Sequence, residues 1–123
     1  MILWINRSCL TPLACLVFVG LVSCQMWTEN HSSHAKVEKG RAIFQESCAV
    51  CHGVSGKGDG YTRFNPPPAN LKNTTIQKKT DEALLHAIRE GHADTAMGAW
   101  KFALSESEIH AVLAYIRTFR GKS

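Results

Sequence analysis

The sequence lacks a strong excess of charge of either sign. Its 14 lysines and arginines outnumber its 10 acidic residues by four, and cutting away residues 1–23 lowers the excess to three, because Arg7 is the only charged residue among them. Such a weak imbalance does not favour nucleic acid as a partner. It leaves a patchy cationic surface that could face an acidic protein.

A hydrophobic run long enough to cross a bilayer is also missing from the N-terminal region. The apolar run Leu13–Val22 has ten residues, whereas a transmembrane helix needs about 20. Such a run after Arg7 is typical of a signal peptide. It ends in Leu21-Val22-Ser23-Cys24, which resembles the signal of bacterial lipoproteins. The resemblance implies that residues 1–23 are removed and that Cys24 becomes a lipidated N-terminus bound to a membrane. A plain secretory signal and an uncleaved anchor helix are the alternatives.

The rest of the chain offers little material for a core. Residues 25–34 are polar and show no apolar period, so we predict that residues 24–34 form the lipidated N-terminus and a flexible tether. Residues 35–123 then form a single small domain. A domain of this size has a marginal core, which a large buried apolar cofactor would complete.

Cysteines for a disulfide scaffold are lacking as well. Three of the five lie in the apolar leader or at its end, namely Cys9, Cys15 and Cys24. The two that remain, Cys48 and Cys51, form a C-x-x-C-H motif with His52. Thiols at this spacing can reach the two vinyl groups of a haem, and the imidazole lies over the porphyrin face. The motif therefore predicts one covalently attached c-type haem.

The segments around the motif carry helical signals. Apolar residues at Val37, Ala42, Ile43 and Phe44 predict a helix from Ala35 to Cys48, with Gly40 inside it. Thr80 is the predicted cap of a second helix, which Gly91 ends and whose buried stripe is Leu84, Leu85 and Ile88. The sequence Ser105-Glu106-Ser107-Glu108 is a capping box. It opens a last helix with an apolar face at Ile109, Val112, Leu113 and Ile116. We predict an all-α fold.

Two kinds of loop separate the motif from the second helix. Gly53–Gly60 lacks the pattern of a phosphate-binding loop, and we expect it to wrap the edge of the haem. Pro66–Pro68 form a rigid extended stretch. A proline carbonyl there would accept the Nδ1 proton of His52 and leave Nε2 for iron.

Residues 91–100 show no period and are predicted to form a loop. Met97 lies in this loop beside Gly98, and we predict that its sulfur binds the second face of the haem iron. His92 in the same loop is the rival ligand. An ordinary core methionine is the alternative without a cofactor role.

The motif, the proline stretch, the loop methionine and the closing amphipathic helix, in that order, resemble a class I cytochrome c with one haem. The resemblance covers about residues 35–119. It implies that the first and last helices cross near the haem, that Cys48 and Cys51 make thioether bonds, and that His52 and Met97 bind the iron.

The resemblance also bears on individual positions. Gly40 and Phe44 would match the glycine and the aromatic residue of the family's N-terminal helix, with Val112 and Tyr115 as their partners. Where the family usually has proline after the methionine ligand, this chain has Gly98, which loosens the loop. Among the prolines, Pro67 and Pro68 are the favoured acceptors of the His52 hydrogen bond.

An iron bound by nitrogen and sulfur has no open position, so we predict a one-electron carrier and not an enzyme. Its partners would be redox proteins, a dehydrogenase or cytochrome complex as donor and an oxidase or reductase as acceptor. They would meet in the periplasm or at the outer face of a bacterial membrane. The alternatives are a small-gas sensor, in which Met97 leaves the iron, and a haem subunit of a larger complex. A dithiol oxidoreductase and a zinc site are disfavoured, since no βαβ pattern and no fourth ligand accompany the motif.

Overall fold

The computed structural model describes residues 31–61 and 63–121. The signal peptide, Cys24 and the first residues of the predicted tether lie outside the described residues. Contacts along the chain divide it into two units, Met1–Ser33 and His34–Ser123, and the second contains all the features described below except residues 31–33. No helix in the described part of the chain combines the length and the apolar character needed to cross a membrane.

The first helix is longer than predicted. Helix α1 is α-helical over residues 31–43, so the prediction of a flexible tether is wrong for residues 31–34. These residues are solvent-exposed, and an exposed helical turn needs no apolar face, which is why the sequence pattern gave no sign of it. Among the apolar residues that predicted this helix, Phe44 is buried and Ala42 is exposed.

A wide turn connects α1 to the C-x-x-C-H motif. Phe44–Cys48 is π-helical, and the amide of Ala49 donates to the carbonyl of Phe44, five residues back. The short helix α2, Ala49–His52, follows directly. Turns of this kind are uncommon and often occur at functional sites.

The second predicted helix is confirmed and is α4, Asp81–Glu90. The side chain of Thr80 accepts a hydrogen bond from the amide of Ala83, and Gly91 caps the C-terminus with a φ of +72°. Leu84 and Ile88 are buried. Local capping residues therefore determine both ends of this helix.

The last helix, α5, covers Glu106–Arg117. Its capping box is confirmed, because the Ser105 side chain accepts from the Glu108 amide while the Glu108 side chain accepts from the Ser105 amide. The predicted apolar face is buried, and it consists of Ile109, Val112, Leu113 and Ile116. Among the described residues the fold is helical and contains no strand.

Helices α1 and α5 touch at Gly40. A Cβ atom on this residue would lie 1.8 Å from the carbonyl oxygen of Ala111 and 3.0 Å from the amide nitrogen of Val112. One turn later the ring of Phe44, which is fully buried, lies 5.3 Å from the ring of Tyr115. Glycine is kept inside α1 because another helix backbone occupies the space of its side chain.

Two short helical segments were not predicted, and one of them is the 3-10 turn Trp100–Phe102. Helix α3, Thr74–Gln77, begins after Asn73, whose side chain accepts a hydrogen bond from the amide of Thr75. Gln77 is buried, and its Nε2 atom donates to the carbonyls of Leu71 and Ile116 at 2.7 and 3.2 Å. A buried glutamine thus joins the polar segment 72–79 to α5.

Candidate cofactor site

A cavity of about 340 Å³ lies in the unit His34–Ser123. Its lining is predominantly apolar and comes from the C-x-x-C-H turn, the proline stretch, α4, α5 and the loop after α4. Its volume is within the usual range of ligand pockets, roughly 300–1,000 Å³. The predicted site residues Cys48, Cys51, His52 and Met97 all line it.

The two thiols are held on α2 and the wide turn before it. Burial, and then the neighbouring Cys51, raise the pKa of the Cys48 thiol to about 11. A nucleophilic dithiol needs a lowered pKa, so this environment does not favour the alternative of a dithiol oxidoreductase. In the described residues no three His, Cys, Asp or Glu side chains form a cluster that could hold a metal ion.

His52 is oriented by a backbone carbonyl. Its Nδ1 atom lies 3.0 Å from the carbonyl oxygen of Ala69. Because a carbonyl can only accept, Nδ1 carries the proton, and the lone pair of Nε2 remains free for a metal.

The predicted acceptor, Pro67 or Pro68, is therefore wrong. The carbonyl of Pro68 faces the glycine-dense loop instead, where a Cβ atom on Gly58 would lie 2.4 Å from its oxygen. The acceptor is the residue that follows the prolines. Pro66, Pro67 and Pro68 still line the cavity.

The glycine-dense loop lies against the C-x-x-C-H turn. The amide of Gly58 donates to the carbonyl of His52 at 2.7 Å, and the amide of Tyr61 donates to that of Val50 at 2.7 Å. Residues 53–60 are not among the residues that line the cavity. The loop packs against the backbone of the motif, and the cavity lining does not support the prediction that it wraps the edge of the cofactor.

Hydrogen bonds close the loop that carries Met97. The amide of His92 donates to the carbonyl of Met97 at 3.0 Å, and Thr95 Oγ1 accepts from the Met97 amide at 3.2 Å. A Cβ atom on Gly91 would lie 2.4 Å from the Met97 carbonyl oxygen, so glycine permits the close approach of the loop to the end of α4.

The structure brings both candidate ligands of this loop to the cavity. Met97 is half-buried and His92 is more exposed, and each lines the cavity. Gly98 has no neighbouring atom within 4 Å of a Cβ built on it. Gly98 also lines the cavity, so the space beside it is part of that cavity.

The sequence does not predict some residues of the site. Ala69 was not expected to orient His52, and Lys79 and Trp100 were not expected to line the cavity. Their places depend on how distant segments pack together, and the local sequence carried no signal for them.

An all-α domain folded around one apolar cavity, with two thiols and an oriented imidazole at its wall, is the architecture of a c-type haem protein. The cytochrome c family model matches residues 37–120, and the chain belongs to this family. Its fold is the class I cytochrome c fold. The family implies covalently bound haem c. The described residues fit that group, because the cavity is apolar, two cysteines line it, and His52 has a free Nε2.

Several relatives support this assignment. The Cbb3-type cytochrome c oxidase subunit FixP of Bradyrhizobium diazoefficiens is 37% identical over 84 residues, which are 68% of this chain and 27% of that protein. The chain thus spans about a quarter of the length of this relative. Cytochrome c6 of Chlorolobion braunii is 33% identical over 87 residues, which are 67% of this chain and 89% of that protein.

A solved structure of a c-type cytochrome is also similar to this chain. Cytochrome CL from Methylophaga aminisulfidivorans matches with a TM-score of 0.56 and 26% identity, over 69% of this chain and 55% of that chain. These relatives support a role in electron transfer.

Proposed function

We propose that the protein is a one-electron carrier in which Cys48 and Cys51 form the thioether bonds, and His52 and Met97 bind the haem iron. The observation that carries the proposal is the hydrogen bond from His52 to Ala69, at the wall of an apolar cavity that Met97 also lines. The bond occupies Nδ1, so Nε2 is the atom that would bind the iron. A thioether on the second face would leave no position open for a substrate.

Haem c supplies the one-electron couple, and the chain adjusts its potential. The Met97 sulfur disfavours the oxidised iron relative to a second histidine, and the apolar lining acts in the same direction by excluding water. His52 acts in the opposite direction, because a hydrogen bond to Nδ1 raises the basicity of Nε2. Together these effects give a reduction potential above that of a haem with two histidine ligands.

The partners in this proposal are redox proteins that dock for a short time. In one form of the proposal the chain is a free carrier between a dehydrogenase or cytochrome complex and an oxidase or reductase. In the other it is a haem subunit of a larger oxidoreductase complex, since the FixP relative is named as a subunit of an oxidase. The excess of basic residues favours acidic docking surfaces.

The ligands can be tested by spectroscopy on protein made in a host competent for haem attachment. A pyridine haemochrome spectrum measures the covalent haem, and the weak sulfur-to-iron band at the red end of the oxidised spectrum reports the methionine. We expect Met97→Ala to abolish the band and His92→Ala to keep it. Both residues line the same cavity, so His92→Ala is the matched control.

Two outcomes would contradict the proposal. Loss of the band in His92→Ala but not in Met97→Ala would assign the ligand to His92. A mature protein that is folded and colourless would reject haem binding altogether.

Gly98, where the family usually has proline, favours a second candidate function, the binding of a small gas by displacement of Met97, because glycine leaves the backbone of the loop freer. The hydrogen bonds that close the loop oppose it, since Met97 is tied to His92 and Thr95. Carbon monoxide added to the reduced protein at neutral pH separates the two functions. A carrier leaves the spectrum unchanged, whereas a sensor shows a new carbonyl complex.

We further propose that the protein is exported and anchored by lipid at Cys24, which lies outside the described residues. The support is the Leu21-Val22-Ser23-Cys24 sequence after an apolar run. Cys24→Ser should move the protein from the membrane fraction to the soluble fraction and abolish labelling with fatty acid. Unchanged membrane binding without labelling would favour an uncleaved anchor helix.

A further inference from the structure

We propose that Gly58 is a positioning residue that sets the reduction potential, because it fixes the Ala69 carbonyl on the imidazole of His52. The inference rests on the proposed function, in which His52 binds the haem iron. It concerns a loop residue that is not among those lining the cavity.

Gly58 lies close to both residues that form the orienting hydrogen bond. Its amide donates to the backbone carbonyl of His52 at 2.7 Å. Its Cα faces the segment that supplies the acceptor, since a Cβ atom on Gly58 would lie 2.4 Å from the Pro68 oxygen and 3.2 Å from the carbonyl carbon and oxygen of Ala69. The histidine and its acceptor are therefore held in place by the same residue.

The space beside Gly58 cannot accept a side chain. Contacts of 3.4–4 Å are ordinary for a Cβ atom, so an alanine would need the Pro68 carbonyl to withdraw by at least 1.0 Å. That carbonyl belongs to the peptide bond that leads into Ala69, whose oxygen is 3.0 Å from Nδ1. Because N–H···O bonds lie at about 2.7–3.2 Å, a movement of this size lengthens or breaks the bond.

The electronic consequence has a definite sign. A hydrogen bond to Nδ1 raises the basicity of the histidine ligand, and a more basic ligand favours the oxidised iron. Weakening the bond makes the ligand less basic. The reduction potential then rises.

The chain offers a matched control for Gly58→Ala. Gly58 and Gly121 have φ angles of +78° and +75°, so alanine meets a similar positive φ at both. At Gly121 a Cβ atom has no neighbour within 4 Å. Gly121→Ala therefore tests the effect of the backbone conformation alone.

The experiment measures the midpoint potential and the thermal stability of the haem-loaded variants. We expect Gly58→Ala to raise the equilibrium constant for reduction by about three- to ten-fold. Gly121→Ala should leave the potential unchanged. Equal potentials in Gly58→Ala and Gly121→Ala would overturn the inference.

A second variant protects the test against failure to fold. Gly58→Asn introduces the same Cβ atom at a residue type that tolerates positive φ more readily, and it should raise the potential as Gly58→Ala does. If neither variant folds, hydrogen exchange is measured on the wild-type protein. We expect the Gly58 amide proton and the His52 Nδ1 proton to show equal protection factors, each relative to its own unprotected exchange rate. Different protection factors would overturn the inference.

The proposed function fails by a different result. If the wild-type protein lacks covalent haem or histidine ligation, its spectrum shows this before any variant is made. If the wild-type spectrum is that of a histidine and methionine ligated haem and the potentials do not differ, only the role of Gly58 is rejected.

Discussion

Replacing Gly40 by alanine tests the contact between α1 and α5. Two effects of the substitution oppose each other. Alanine has a higher helix propensity than glycine, worth up to about 1 kcal/mol inside a helix. Its Cβ atom, however, would lie 1.8 Å from the carbonyl oxygen of Ala111.

The steric effect should be the larger of the two. Ordinary contacts begin at 3.4 Å, so the helices must separate by about 1.6 Å. A helical carbonyl cannot rotate out of the way, and the separation would loosen Phe44 and Val112, two of the most deeply buried side chains. Overpacking costs about 1–3 kcal/mol, and we expect the upper value here. After the gain in helix propensity, the net loss is about 2 kcal/mol, or about 8–16 °C in the melting temperature of a domain of this size.

Thermal unfolding followed by circular dichroism measures this loss. Ala42→Gly is the control, because Ala42 is exposed in the same helix and this substitution measures the helix propensity alone. The double variant with Ala111→Gly is more decisive. The clash involves the Ala111 carbonyl and not its methyl group, so removing the methyl should not restore stability. A stable Gly40→Ala protein, or rescue by Ala111→Gly, would refute the reasoning.

Two further predictions concern polar contacts at the ends of α4 and α5. Hydrogen bonds from the Ser105 backbone and side chain, and then Lys39, hold the pKa of Glu108 below its ordinary value of 4.5. The stability that this provides is present above pH 4.5 and is lost as the pH falls through the lower folded-state pKa. Glu108→Gln should therefore unfold less steeply with acid, and an unchanged acid profile would contradict this. Arg117 donates to Asp81 and to the carbonyls of Gln77 and Lys79, so Arg117→Ala should cost about 2–3 kcal/mol in urea unfolding. Arg120 makes one bond to Gln77, and equal losses in Arg120→Ala would argue against the network.

The features that the sequence predicted best depend on residues close together in the chain. Ser105 and Glu108 are three residues apart, and Thr80 caps an amide three residues later. Such contacts form wherever the helix forms, so the pattern alone was enough to place them. The C-x-x-C-H motif is local in the same sense, which is why the cofactor followed from five consecutive residues.

The features that the sequence did not predict depend on distant contacts. Gln77 is buried because α5 lies over it, 39 residues away along the chain. Ala69 is the acceptor for His52, 17 residues away along the chain. The sequence predicts Met97 as the second ligand and His92 as its rival, and both line the cavity.

The π-helical turn before the C-x-x-C-H motif has a consequence for chain length. Each residue of a regular α-helix advances by about 100°, so residues five apart would point in clearly different directions. Phe44 and Ala49 are both buried, because the wide turn absorbs one additional residue between them. A homologue that lacks one of the exposed residues Gln45 or Glu46 could close this turn as a regular helix and still present its thiols to the same cavity. Deletion of one residue should therefore be tolerated here, but not between Cys48 and His52.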